Sequence, residues 1–368
     1  MTLTLPAPAR IGSYPNEDVS WLLTDLNGHD LEQDTETREK AIQSGVPYSE
    51  MLPVEYRPSP EYVNLYHKVL DQTAETIASH VATVTEMILR DNPEPVLVSL
   101  ARAGTPIGVL MRRYIKKTRH IDVPHYTISI IRGVGIDTTA LEYITTRHPA
   151  SSIVFVDGWT GKGAISRQLT AAVTRWNETH PDRQLSDTLA VLADPGHCTR
   201  MYGTRDDFLI PSACLNSTVS GLVSRTVYKP ELIRPDQFHG AKYYQEYTED
   251  DVSNDYVDAI TEHFPDSPAT PAGIPTPDAL DRTPTWIGWE TVEKIDQMYS
   301  IGDVNKIKPG VGETTRVLLR RIPWKILYNP EQEHHLEHIR ILADQRGVPM
   351  EPAHWLPFSC VGIIKDVT

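Results

Sequence analysis

The chain has 368 residues, 40 % of them apolar and 23 % charged, and carries a net charge of −14. That composition excludes wholesale disorder, and the acid surplus excludes a protein that binds nucleic acid over its whole surface. Cys198, Cys214 and Cys360 are too few and too scattered for a disulfide framework or a zinc-ligand set, which points to a reducing compartment.

In chain order, residues 1–58 read as an irregular N-terminal extension rich in turn residues. No basic n-region precedes an apolar stretch in Met1–Arg10, so no secretory signal is read there. No apolar run reaches the ~20 residues a membrane helix needs, so a cytoplasmic protein without a membrane partner is expected. Tyr62, Leu65, Tyr66, Val69, Leu70, Ile77, Val81, Val84 and Ile88 recur at helical spacing and predict a long helix from Pro60 to about Arg90. Four short, mostly β-branched runs follow: Val96–Leu100, Tyr126–Ile131, Ile153–Val156 and Thr188–Ala193. A helix over Ala164–Trp176 separates the last two. Apolar runs of this length, joined by crossovers of this length, predict a parallel sheet covered by helices on both faces. From Pro265 to Pro284 six prolines and almost no large apolar residue mark a linker. Beyond it come a helix near Trp289–Met298, a second across Glu313–Arg321, a strand Trp324–Tyr328, a helix Pro330–Arg346 and an apolar stretch Cys360–Ile364. The expected organisation is an extension (1–58), an α/β domain (59–264), a linker (265–284) and a small αβα domain (285–368).

The most informative stretch runs from Ile153 to Ile165, where a buried strand ends in Asp157 and a tight Thr160-Gly161-Lys162-Gly163 turn opens a helix. Ligands of open α/β sheets sit at the carboxyl ends of the strands. Glycines let backbone amides approach an anion there, and a helix N-terminus adds about half a positive charge. A Walker loop fails at both ends, because Val156 stands where its first glycine belongs and Gly163 where its Ser or Thr belongs. The competing reading is a plain strand–turn–helix junction. Earlier, Ala101-Arg102-Ala103-Gly104 forms a small-residue turn after the first strand, and Arg102 has the forked donors that suit phosphate oxygens. Between the two turns, Ile131-Arg132-Gly133-Val134-Gly135-Ile136-Asp137 reads either as a lid or as a simple connection.

The strand, acid and Thr-Gly pattern resembles the motif with which type I phosphoribosyltransferases bind phosphoribosyl pyrophosphate (PRPP). Gly45–Pro53, Cys214–Thr226 and Phe238–Tyr244 narrow the resemblance to the phosphoribosyltransferase-like proteins of bacterial tellurium-resistance and stress operons, which often carry the label cysteine protease StiP. The resemblance implies a Rossmann-like phosphoribosyltransferase domain that ribosylates a small-molecule acceptor with PRPP and Mg²⁺ and releases pyrophosphate. Asp157, Arg102 and Arg132 would then be catalytic. Ala101, Arg102, Ala103, Gly104, Asp157, Gly158, Thr160, Gly161, Lys162 and Gly163 would bind PRPP. Gly158 departs from the family pattern, which has a second acid there. Asn216, Ser217, His239 and Lys242 are candidate substrate contacts, and a homodimer is a candidate state. Two other classes stay open. One is a non-catalytic PRPP sensor. The other is a cysteine hydrolase built on Cys198 beside His197, or on Cys214 near Asn216, Ser217 and His239.

The last domain carries Lys308-Pro309-Gly310-Val311-Gly312-Glu313-Thr314-Thr315-Arg316, which resembles the RNA-contacting turn of pelota-like domains. The resemblance implies RNA contacts from Lys308, Gly310, Glu313, Arg316 and Arg320, with Gly312 replacing the usual Asn. From Val304 to Pro330, six basic residues face one acid, a local basic patch in an acidic chain. His334 and His338 share a helix face but have no third ligand, so no side-chain metal site is expected.

Overall fold

The structure, a computed structural model, describes residues 5–34, 47–268 and 282–365, and between 34 and 47 only residues 37, 38, 40 and 45. Its centre is a six-stranded sheet. The elements in chain order are β1 (Ser20–Trp21), α1 (Pro60–Asp91), β2 (Val96–Leu100), α2 (Gly104–Arg119), β3 (His125–Ile128), α3 (Thr138–Thr145), β4 (Ile153–Trp159), α4 (Ala164–Thr179), β5 (Leu189–Ala193), β6 (Met201–Thr204) and α5 (Ser253–Glu262). The strand order is β1-β3-β2-β4-β5-β6 and every pairing is parallel.

Both faces of this sheet are covered, which is why β5 reads as an unbroken apolar run and β2 is interrupted only by Ser99, rather than alternating. Leu97, Val154, Val156, Ala190 and Leu192 enter the core beneath α1 and α2. Val98, Leu100, Phe155 and Val191 enter the opposite core, with Leu141 and Ile144 of α3 and Leu169, Val173 and Trp176 of α4. Pro60 opens α1 at a position where its missing N–H costs nothing. Part of the stretch read as an N-terminal extension, Ser20–Trp21, supplies an edge strand. The expected run Tyr126–Ile131 divides, because Ile130–Ile131 leaves the sheet to pair antiparallel with Gly135–Ile136. Arg132 and Gly133 lie at the tip of that hairpin.

A smaller domain follows, made of α6 (Ile287–Tyr299), β7 (Ile307–Pro309), α7 (Val311–Arg320), β8 (Pro323–Tyr328), α8 (Glu337–Arg346), β9 (Met350–Pro352) and β10 (Cys360–Ile364). Its sheet has the order β7-β10-β8-β9, antiparallel except for β8 with β9. Val292 and Ile295 of α6 cover one face, and α7 and α8 cover the other. The expected helix Pro330–Arg346 is a 3₁₀ segment, Pro330–His335, followed by α8. Most of the Pro-rich linker, residues 269–281, lies outside the described residues. The structure is thus a mixed α/β chain with a parallel sheet and a separate small C-terminal domain.

The carboxyl ends of β2, β4 and β5 share one edge of the central sheet. The C-terminal domain rests on that edge, and Asp207, just beyond β6, joins the two. Its carboxylate accepts from Val311 N and Ser359 N, each at 2.8 Å, so a central-domain acid caps the start of α7.

Candidate functional site

Loops from both domains meet at this edge. Arg102, on the turn after β2, donates to Asn216 Oδ1 at 2.7 Å and to the Val223 carbonyl at 3.1 Å. Asp157, two residues from the end of β4, accepts from Gly158 N at 2.8 Å. Burial pushes its carboxyl up to about 7, partly offset by that bond and by Arg316. Arg316 comes from α7. Its guanidinium lies 4.4 Å above the Trp159 ring and 3.4 Å from Glu313. Arg320, one turn on, donates to the Leu215 carbonyl at 2.8 Å. Burial, then Arg316 and Arg102, push Arg320 down to about 9. Burial alone would raise Glu313, but Lys308, Arg316, Lys162 and Arg320 hold it below the usual carboxylate range. Arg102, Ala103 and Asn216 of the central domain and Arg316 of the C-terminal domain therefore line one cleft.

The side chains of the Gly-rich turn are engaged by the chain itself. Thr160 Oγ1 donates to Asp194 Oδ1 at 2.5 Å. Lys162 Nζ donates to the carbonyls of Val304 and Ile307 in the C-terminal domain, and burial and then Lys308 push it down to about 7. Gly161 packs on Pro309 and against Gly196 and Gly288. Gly163, at φ 77°, caps α4 in the left-handed region, and any side chain there would collide with Trp286 and the Cys198 sulfur. The expected phosphate cradle is filled by the chain's own second domain. Gly104 fits tightly for a similar reason, since a Cβ would meet the Val156 carbonyl where α2 approaches β4.

The remaining predicted residues are distributed as follows. Ala101 and Ala103 flank Arg102, and Ala103 packs on Gly158. Arg132, on the hairpin tip, donates to Asn305 Oδ1. Asn216 is in the cleft beside Arg102, whereas Ser217 is turned away to bond Glu55 through both its N–H and its hydroxyl. Ser217–Val219 forms a 3₁₀ turn, and Asn216 at its start makes no side-chain cap. His239 is buried elsewhere, its Nδ1 2.9 Å from Ser129 Oγ and its N–H on Asp137. Lys242 pairs with Glu32 at 2.7 Å. Lys308 is on β7 and Gly310, at φ 97°, caps α7. His338 is buried with its Nε2 3.2 Å from Thr315 Oγ1.

The three thiols differ in setting. Cys360 is in the inner strand β10. Cys214 is buried in the apolar core, its thiol pushed up to about 12 by desolvation; His239, with its partners Ser129 and Tyr228, is not among its contacts. Cys198 stands on the turn after β5, against the N-terminus of α4. Its N–H donates to Asp194 at 2.8 Å. Its sulfur donates to the carbonyls of Gly196 at 3.2 Å and Gly161 at 3.6 Å. Burial and then Asp194 push that thiol up to about 12, opposed by Thr160 and Arg167. Trp286 and Gly288 cover this turn, Trp286 N donating to His197 O at 3.0 Å and Gly288 N to Gly196 O at 3.1 Å. The His197 ring is 3.1 Å from Thr285 Oγ1. Among the described residues, no helix is long and apolar enough to cross a membrane.

Comparison with known proteins completes the picture. The family model described as tellurite-like stress resistance cysteine protease StiP matches residues 12–261. A second, the PELOTA RNA binding domain, matches residues 286–366. The cysteine protease StiP of Acinetobacter baylyi is 35 % identical over 374 residues, covering 97 % of this chain and 94 % of that protein. These findings overturn the expectation of a phosphoribosyltransferase using PRPP, since both the family and the relative are named as cysteine proteases. The filled cradle at Thr160–Gly163 gives the physical reason: the motif is a docking surface in this fold.

Proposed function

The chain belongs to the StiP family and ends in a pelota RNA-binding domain, and from that membership we propose that it is a cysteine-dependent peptide hydrolase with Cys198 as nucleophile. The observation that carries the assignment is the position of its sulfur, which lies against Gly163, the N-terminal cap of the 16-residue helix α4. A thiolate formed there gains from the helix dipole and from Arg167, the two influences that lower thiol pKa values in reactive cysteines. Cys214 has only Arg320 acting against its burial. Cys360 lies outside the StiP match.

The described state is a closed form of such an enzyme. The thiol keeps its proton and donates it to carbonyl oxygens, while Trp286 and Gly288 bar a substrate carbonyl from approaching. Once uncovered, the sulfur regains water, its desolvation penalty falls, and the thiolate can attack a peptide carbonyl. The acyl group is then held on sulfur, the amine leaves with a proton, and water releases the acid. The test is hydrolysis of casein by the wild type and by Cys198→Ala, Cys214→Ala and Cys360→Ala, with mass-spectrometric mapping of iodoacetamide labelling. Loss of activity in Cys198→Ala alone supports the assignment; wild-type activity in Cys198→Ala removes it.

A second reading concerns the C-terminal domain, for which RNA is the ligand that the pelota description names. Lys308, Glu313, Arg316 and Arg320 gather along β7 and α7, as a phosphate-contacting surface requires. Arg316 lines the interdomain cleft and Arg320 reaches the Leu215 carbonyl of the central domain, which supports RNA entering between the domains.

A further inference from the structure

We propose that Arg102, Arg316 and Arg320 form a binding site for one phosphoryl group, shared between the two domains. This deepens the RNA-binding reading, on which it rests for the source of the phosphate but not for the chemistry of the site.

Three guanidinium groups converge from two segments, the turn after β2 and the helix α7, in a protein whose net charge is −14. Burial and then Arg316 and Arg102 lower Arg320, and burial and then Arg102 lower Arg316. Like charges held together in a partly desolvated place cost stability unless an anion offsets them. The acids at hand are shared. Glu313 serves Lys308, Lys162 and Arg320 as well as Arg316, Glu55 acts on Arg320 while also accepting from Ser217, and burial raises the Asp157 carboxyl to about 7. The three guanidinium groups thus share these acids with two lysines.

The donors also have capacity to spare. Arg316 Nε is a buried N–H with no hydrogen-bond partner, and its side chain keeps 28 % of its surface open to solvent. A deep group that still meets solvent lines a cleft rather than a core. Arg102 and Arg316 border the same cleft, together with Ser212, Asn216 and Ser220. Asn216 holds the Arg102 fork in place, and Trp159 supports the Arg316 plane. Two oriented forks with hydroxyl and amide groups around them suit the tetrahedral oxygens of a phosphate far better than a planar carboxylate.

The chemistry is common to a phosphodiester in RNA and to a free phosphate ester, and the experiment separates them. Affinity for a fluorescein-labelled RNA hairpin is measured by anisotropy across a salt series. The protection that inorganic phosphate gives against thermal unfolding is measured in parallel. The proteins are the full chain, Arg102→Gln, Arg102→Lys, Arg316→Gln and Arg57→Gln, the last an exposed residue paired with Asp250 outside the cleft. The shared site predicts that Arg102→Gln and Arg316→Gln each weaken RNA about tenfold and lower the salt slope by about one. Arg102→Lys, which keeps charge but loses the fork, should fall between, and Arg57→Gln should match the wild type. Normal unfolding temperatures in the variants without ligand would exclude misfolding as the cause. RNA binding weakened by Arg316→Gln but not by Arg102→Gln would overturn the shared site while leaving the RNA reading intact. Phosphate protection lost in both variants, without RNA binding by any protein, would keep the site and end the RNA reading. No response to either probe would end both.

Discussion

Asp157 shows what a single residue at this interface costs. It is 9 % exposed and its carboxyl titrates at about 7, well above an unfolded aspartate near 3.8. The native state therefore holds this proton more tightly than the unfolded chain does. Its stabilising contribution is complete below about pH 4 and is lost as pH rises through 7. Asp157→Asn has no proton to lose, and its amide oxygen can still accept from Gly158 N. The variant should match the wild type near pH 4 and exceed its stability above pH 7, by on the order of 2 kcal/mol or more. Thermal unfolding of the two proteins across that range checks this, and a pH-independent difference would contradict the burial argument. Asp157 was legible from sequence as a special residue because a carboxylate ending an apolar strand is rare. Its partners were not. Arg316 lies on another domain, and Asn216 is 114 residues from the Arg102 it orients. From sequence, Cys198 beside His197 is one of two candidate nucleophiles, with nothing to prefer it over Cys214. The signals that distinguish it, the cap of α4 and the cover by Trp286, exist only in three dimensions.

The elements fell into two groups by length. Long or fully buried ones were readable: α1 through its apolar stripe, and β2, β4 and β5 through near-continuous apolar runs that a sheet covered on both faces requires. Elements of two to four residues were not, because β1, β6, β7 and β9 are too short for any period to register and are set by their neighbours' free edges. The start of α7 is a case in point. Gly310 cannot cap it with a side chain, and the cap comes from Asp207, over 100 residues earlier. Asp207→Ala would leave Val311 N and Ser359 N without their acceptor in a buried place. Each such loss costs about 1–3 kcal/mol, so unfolding should begin at a lower temperature and the first amides of α7 should exchange faster with deuterium. Unchanged exchange in α7 would show that the cap contributes nothing to docking.

At the scale of the molecule, the C-terminal domain covers what the central domain would use. Arg167 on α4 lies 5.2 Å below the Trp286 ring and 3.8 Å below the Trp289 ring, fixing the start of α6 over the Cys198 turn. The cation that would favour a thiolate is therefore also the cation that holds the lid-like helix in place, and both effects follow from one side chain. The same interface carries the cleft lined by Arg102 and Arg316. Trp286→Ala removes the ring over Gly163 while leaving the sulfur, Asp194 and α4 untouched. Iodoacetamide should then alkylate Cys198 about tenfold faster, which corresponds to ~1.4 kcal/mol off the cost of uncovering it. Cys214 and Cys360, buried in separate places, should keep their wild-type rates. Faster labelling of all three thiols would indicate general loosening of the fold. An unchanged rate at Cys198 would mean that Trp286 is not what closes the site. Acceleration confined to Cys198 would establish that the docked domain itself keeps the thiol silent.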